Sequence, residues 1–190
     1  MTRSSHENLK PLTCVFLMIV LICLVVFHNT TPRYDRDLFG GWSDIDRDCQ
    51  NTRHELLQER SARVVTLSED GCRVLQGEWV DLYTGQTFRN SSQLDIDHLV
   101  PLKYGWDRGA YRWPSYKRVK FTNDPANLFA VQKSVNRQKS ASGPLEWLPP
   151  DNAYRCQYIR NFQGIVGLYE LKQTVVEQQM IKLEERRYCN

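Results

Sequence analysis

Three ionisable side chains lie at the centre of an otherwise apolar segment, "LDIDHLVP", at residues 94–101. Leucine and isoleucine at alternate positions predict a β-strand, which places Asp95 and Asp97 on the same face. His98 follows directly. Carboxylate oxygens are ligands that hard divalent cations prefer, and a neutral imidazole can take a proton from water near neutral pH. The segment therefore predicts a hydrolytic site at the end of a strand.

A second polar cluster, "NLFAVQKSVNRQKS", begins at Asn127 and includes Asn136 nine residues further on. "NLFAV" predicts another short strand, and "SVNRQKSA" predicts a helix with Ser134 as its N-cap. The amide oxygen of Asn136 is a second ligand suited to a hard cation. A strand, loop, strand and helix in this order can hold one divalent metal ion, which would neutralise charge developing on a phosphate.

The remaining segments predict the elements that surround this site. "NTRHELLQERSA" predicts a short helix, and "CRVLQGEWVDLYTGQTF" predicts two strands joined by a turn. Residues 103–126 predict a long aromatic and basic connection. From Ala153 to about Arg187 the spacing of apolar residues is helical. We expect these residues on one side of that segment to form core: Tyr158, Ile159, Phe162 and Ile165.

Taken together, "DIDHLVP" and "NLFAVQKSVNRQKS" resemble the HNH endonucleases, also called the His-Me finger or ββα-metal group. Segments outside the motif, such as "YDRDLFGGW", "GEWVDLYTG" and "PLEWLPP", are similar to small secreted bacterial nucleases of that group. The resemblance covers roughly residues 34–189. It implies an α+β fold with a ββα-metal core at about residues 92–142, to which further helices, short strands and disulfides are added.

The resemblance also implies a role for each residue of the motif. His98 is the general base, and Asp97 and Asn136 hold one divalent metal ion. Mg²⁺ is the expected ion, and Mn²⁺ is the alternative. Asn127 takes the middle position of the motif, where it steadies the loop that carries the base. Asp95 is either a supporting residue or ligand of this site or a solvated carboxylate. The implied activity is hydrolysis of phosphodiester bonds.

Basic residues are concentrated near this motif although the whole chain carries a net charge of only +3. From Lys103 to Lys139 there are nine basic and two acidic residues, a local net charge of +7. We expect Arg137 and Lys139, beside Asn136, and Arg53 of the "TRHE" segment to bind substrate phosphate. The interleaved aromatics are expected to be buried. DNA is the expected partner, and RNA stays open. Because no base-reading motif is present, we expect contacts mainly with the phosphate backbone and little sequence specificity.

The N-terminal segment has the pattern of an export signal. Residues 1–11 form a positively charged n-region, and residues 12–28 form an apolar signal peptide or signal-anchor helix ahead of the domain at 29–190. Without a clear cleavage site, an anchor that contacts the membrane through residues 12–27 is weakly favoured. In either case we expect the domain to be exported, and its location to be secreted, periplasmic or at the cell surface.

Four cysteines follow the leader, at positions 49, 72, 156 and 189. An even number in an exported domain predicts two disulfides, for which three pairings are possible. Proximity along the chain favours Cys49–Cys72 and Cys156–Cys189. A zinc site is disfavoured because no C-x-x-C pair is present.

An acidic segment, "DIDRDCQNTRHE", places Asp44, Asp46, Asp48 and Glu55 at positions 1, 3, 5 and 12 of a calcium-binding loop. Position 6 of such a loop is a glycine, and here it is Cys49. The sequence therefore favours a polar turn over a calcium site.

Two other kinds of function stay open. One is an exported module that binds nucleic acid without cutting it, and the other is an envelope interaction protein anchored by its leader. The intact set of Asp97, His98 and Asn136 favours the enzyme over both. No protein partner is predicted.

Overall fold

The computed structural model describes residues 31–189, and the predictions for residues 1–28 lie outside this range. The fold is mixed α+β, as predicted. The helices are α1 (Thr52–Arg60), α2 (Leu102–Asp107), α3 (Ser115–Asn123), α4 (Lys133–Lys139), α5 (Arg155–Leu168) and α6 (Val175–Tyr188). The strands are β1 (Thr66–Leu67), β2 (Val74–Val80), β3 (Thr87–Asn90), β4 (Leu94–His98) and β5 (Leu128–Gln132).

The strands form two antiparallel sheets. One has the order β1-β2-β3, and the other is the pair β4-β5, in which Asp97 lies opposite Phe129 and His98 opposite Leu128. Helix α4 follows β5 without a loop, so the residue before the helix is Gln132, and the prediction of Ser134 as N-cap was wrong. The predicted succession of two strands and a helix around the polar clusters is confirmed.

The segment between these two strands is more regular than predicted. Residues 103–126 contain α2 and α3, which begin after Pro101 and Pro114. A proline at these positions suits a helix start because its fixed φ is helical and no N–H is needed there. The aromatics of this segment are mostly core, as expected: Tyr104, Trp106 and Phe121 are buried.

The β4-β5 pair lies between two hydrophobic clusters. Leu94, Ile96 and Leu128 pack with Trp79 in one cluster. Val131 packs in the other, larger cluster, which also contains Phe121 of α3 and most of the apolar residues of α2 and α5. Because side chains alternate along a strand, Asp95 and Asp97 lie on the face opposite Leu94 and Ile96.

Two disulfides connect parts of this fold, and the pairing is the predicted one. Cys49 is bonded to Cys72, and Cys156 at the start of α5 is bonded to Cys189 after α6. The C-terminal segment that was predicted to be helical forms two helices, α5 and α6. Among the helices of residues 31–189, none has the length and apolar content that crossing a membrane requires.

Candidate active site

Three of the residues selected from the sequence meet in one cavity. Asp97, His98 and Asn136 line a cavity of about 250 Å³ at the end of the β4-β5 pair. The other residues of its lining are Arg36, Ile96, Pro101, Leu102 and Ser140. A larger cavity of about 540 Å³ lies along α5 and α6 and contains none of the predicted residues.

His98 is held as a neutral ring. Its side chain is buried, and burial lowers the pKa of His98 to about 3. The Nε2 atom lies 2.9 Å from the carbonyl oxygen of Thr122. Because a carbonyl can only accept a hydrogen bond, the proton must be on Nε2, which leaves the lone pair on Nδ1. Nδ1 is therefore the nitrogen that can take a proton.

The indole of Trp42 fixes the plane of the His98 ring. Trp42 stacks on His98 with the ring centroids 5.3 Å apart and an interplanar angle of 4°. The side chain of Asn123 accepts a hydrogen bond from the N–H of Ser43 at 2.9 Å and donates one to the carbonyl of Gly41 at 3.2 Å. The end of α3 therefore holds both His98, through the Thr122 carbonyl, and the backbone on each side of Trp42. Sequence reasoning assigned no role to Trp42.

Asp97 lies in a buried network. The ammonium of Lys139 donates to Oδ1 at 3.0 Å and to the carbonyl of His98 at 2.8 Å, and it lies 2.9 Å from Oδ2 in the same ion pair. The hydroxyl of Tyr83 donates to Oδ2 at 2.7 Å. Burial raises the pKa of Asp97 and lowers the pKa of Lys139, and the attraction between the two groups opposes both shifts.

The prediction that Lys139 binds substrate phosphate was wrong. Its side chain is 0% exposed, and its ammonium is paired with Asp97 and hydrogen-bonded to the carbonyl of His98 within the protein. Helix α4 turns Lys139 toward Asp97, because residues three apart on a helix lie on neighbouring sides and Asn136 also faces β4. Arg137, between them in sequence, is exposed, and its contact with phosphate stays a prediction.

The amide of Asn136 is oriented by Asp95. The Nδ2 atom of Asn136 lies 3.2 Å from Oδ2 of Asp95. Because a carboxylate only accepts, the amide nitrogen must face Asp95, and the amide oxygen is left for another partner. Arg53 lies near Asp95, but its guanidinium donates to the carbonyls of Ser91 and Leu94, at 3.3 and 3.0 Å.

Asn127 clamps the turn that follows the histidine. Its side chain is fully buried, accepts the N–H of Val100 at 2.8 Å and donates to the carbonyl of Val100 at 3.2 Å. Its own carbonyl accepts the N–H of Leu99 at 2.8 Å. This geometry fits a residue that steadies the loop carrying His98, and Asn127 itself is not part of the cavity lining.

The acidic turn lies apart from this cavity. Carboxylate oxygens of Asp44, Asp46 and Asp48 approach within 4.8 Å of one another, and all three side chains are exposed. Exposed acidic groups often come together without an ion, so the turn is described by its hydrogen bonds: Asp46 accepts the N–H of Asp48, and Asp48 accepts that of Gln50.

Residues 47–182 match the family described as "GmrSD restriction endonucleases, C-terminal domain". The chain belongs to this family. The domain is therefore of a nuclease family. The matched range contains all of the residues predicted from the polar clusters, whereas Arg36 and Trp42, which also line or support the cavity, precede it.

A relative from Arthroderma benhamiae carries the description "Uncharacterized secreted protein". It is 37% identical over 146 residues, which is 76% of this chain and 70% of the relative. Secretion of this relative and the two disulfides of the present chain agree with the predicted export. No solved structure matches the chain.

Proposed function

We propose that this protein is an exported, metal-dependent endonuclease of the HNH type that hydrolyses phosphodiester bonds of DNA with little sequence specificity. The observation that carries the proposal is the cavity in which a neutral histidine lies beside two oxygen ligands, Asp97 and Asn136. The nuclease family of the chain supports it independently. Asn127 takes part by holding the turn after His98.

The residues of the cavity fit one divalent metal ion, Mg²⁺ or Mn²⁺. The amide oxygen of Asn136 is available because Asp95 takes its nitrogen. A carboxylate has about four lone-pair positions. Lys139 donates to Oδ1 and Tyr83 donates to Oδ2, so Oδ1 keeps a lone-pair position for a metal ion. A metal bound by these two oxygens would stabilise negative charge developing on the phosphate and on the leaving oxygen.

His98 supplies the proton acceptor. Burial keeps its ring neutral at neutral pH, so Nδ1 can take a proton from the attacking water while Nε2 keeps its hydrogen bond to Thr122. An anionic phosphate next to the ring favours the protonated form, so substrate binding itself raises the proton affinity of Nδ1. Trp42 and Asn127 hold the ring and the following turn in place during this transfer.

The test is a plasmid-nicking assay with Mg²⁺, Mn²⁺ or EDTA. His98→Ala is expected to reduce the cleavage rate by about 10²–10⁴-fold, the usual contribution of a general base, with DNA binding nearly unchanged. Asp97→Ala and Asn136→Ala are expected to raise the metal concentration that gives half-maximal rate. Circular dichroism checks that each variant is folded. More than about a tenth of the wild-type rate in His98→Ala would refute the assignment of the base.

The contact between Lys139 and Asp97 favours a second candidate, a domain that binds nucleic acid without cutting it. The ammonium already neutralises Asp97, as a metal would in a nuclease. Such a domain would bind DNA in EDTA and would leave the plasmid intact with every divalent metal tested. The same assay therefore separates the two candidates.

A further inference from the structure

Arg36 is a second charged group at the cavity, and no function has been assigned to it. It lines the cavity together with His98, Asp97 and Asn136 and is exposed to solvent. After burial, its positive charge is among the causes that lower the pKa of His98, which places the guanidinium within electrostatic reach of the ring. Its side-chain hydrogen bond goes to Tyr34, and within residues 31–189 it forms no ion pair with a carboxylate.

The segment that carries Arg36 is fixed to the rest of the domain. Tyr34 and Phe39, on either side of it, pack against Trp106, with ring centroids 6.0 Å apart in both cases. Two residues of α3 bind the backbone that follows. The guanidinium of Arg118 donates to the carbonyl of Leu38 at 2.8 Å, and the hydroxyl of Thr122 donates to that of Phe39 at 3.0 Å. Arg36 is thus presented by an anchored backbone.

The guanidinium of Arg36 is suited to bind an anion in this cavity. Asp97 is paired with Lys139, and Arg36 is the basic side chain in the lining of this cavity and is exposed to solvent. A planar guanidinium can donate two parallel hydrogen bonds to a phosphate, which a lysine cannot do. The acceptor that belongs in this position is a phosphodiester oxygen on the substrate.

We propose that Arg36 binds the phosphodiester that is attacked in this cavity, and that it is a substrate-binding residue of the reaction. This inference rests on the proposed function. It implies that the active site is completed by the segment of residues 34–43, which precedes the family match at residues 47–182. A domain cut to the matched range would lack the phosphate-binding arginine.

The test compares three full-length variants: Arg36→Gln, Arg36→Lys and, as a matched control, Arg89→Gln. Arg89 is an exposed arginine on β3 that pairs with Glu78 outside the cavity, so its replacement changes the net charge equally. Two quantities are measured: kcat/KM on mixed-sequence DNA, and the Kd of a short DNA duplex in EDTA, where no cleavage takes place.

We expect Arg36→Gln to lower kcat/KM by about 10²-fold, as loss of one preorganised donor to a reacting oxyanion does. It should also raise the Kd severalfold above that of Arg89→Gln. Arg36→Lys should restore most of the binding but only part of kcat/KM, because the positive charge is kept but the two parallel donors of the guanidinium are lost. If Arg36→Gln equals Arg89→Gln in both measurements while the wild type cuts DNA, this inference is wrong and the proposed function stands. If the wild type cuts nothing, the proposed function fails, and an unchanged Kd would then overturn the phosphate contact as well.

Discussion

Lys139 is the residue on which the buried half of the site depends. Its ammonium binds Asp97 and the carbonyl of His98, and it is fully buried. Removing one partner of a buried ion pair leaves the other charge uncompensated and typically costs about 3–5 kcal/mol. Lys139→Met should therefore lower the free energy of unfolding by about that amount, measured by urea denaturation. Arg160→Met, which removes an exposed pair with Glu185, is the control and should cost about 1 kcal/mol or less. Equal losses in the two variants would show that the buried pair contributes no more than a surface pair.

A second prediction concerns Trp42 and the rate of cleavage, kcat, instead of the free energy of unfolding. Because the indole fixes the plane of the His98 ring, Trp42→Ala should lower kcat by about 10- to 10²-fold with little change in KM, as loss of positioning does. Trp42→Phe keeps a ring that can stack and should recover most of the rate. Tyr116→Ala, which removes an exposed aromatic, is the control. A KM effect without a kcat effect would mean that Trp42 contacts substrate instead.

The residues of the site divide into those that sequence could identify and those that it could not. Asp97, His98 and Asn136 have side chains suited to the chemistry, and their spacing around two strands brings them to one cavity. The role of Thr122 is carried by a backbone carbonyl, which has no signal in the sequence. Lys139 was assigned to the surface because its burial depends on how α4 is rotated against β4, which composition and spacing do not determine.

At the level of elements, a histidine joins α1 to β2. Nδ1 of His54 accepts the backbone N–H of Val74 at 3.1 Å. Burial, followed by the charges of Arg53 and Arg73, lowers the pKa of His54 below its ordinary value of 6.5. A protonated ring cannot accept this bond. Because the folded-state pKa is the lower one, the stabilisation is fully present above about pH 6.5 and is lost as the pH falls through the folded-state pKa.

His54→Gln tests this link, because a glutamine carbonyl can accept a hydrogen bond but does not titrate. Between pH 7 and more acidic values, the wild type should lose stability more steeply than His54→Gln, by about 1 kcal/mol, the usual contribution of one hydrogen bond. Urea unfolding across this pH range gives the comparison. His98 is present in both proteins, so its own titration cancels in the difference. Parallel curves would show that His54 does not contribute to the acid sensitivity.

The elements were predictable where a residue pattern has one period over its whole length. Strand β4 alternates, α1 has its apolar pair Leu56 and Leu57, and these elements were predicted. Helices α2 and α3 were missed, since they are six and nine residues long and such short helices depend on tertiary packing for stability. Because α3 supplies Thr122 and Asn123, the missed element is also the one that orients the base.

At the scale of the whole molecule, the structure reduces the basic surface that the sequence suggested. Of the nine basic residues from Lys103 to Lys139, four are bound to a carboxylate or a carbonyl. Lys103 pairs with Asp107, Arg108 with Glu177 and Lys139 with Asp97, and Arg118 donates to the carbonyls of Leu38 and Trp113. Lys117 lies over the ring of Trp113, and Lys120 is exposed. Lys117 and Lys120, both on α3, are therefore the residues with which to test a DNA-binding face, because Arg118 is already bound within the protein.

The salt dependence of DNA binding measures that face directly. Each phosphate that a lysine neutralises steepens the slope of log K against log salt by about 0.9, because counterions are released from the duplex. If α3 contacts DNA, Lys117→Gln combined with Lys120→Gln should flatten the slope by up to about 1.8, measured in EDTA. Lys182→Gln combined with Arg186→Gln on α6 removes the same charge and should leave the slope nearly unchanged. Equal slopes for the two double variants would place the DNA elsewhere on the molecule.

The sequence specificity of cleavage is tested by sequencing the ends of a digest of mixed DNA. Contacts to phosphate alone predict ends at many sequences, and one shared sequence at the ends would require base contacts.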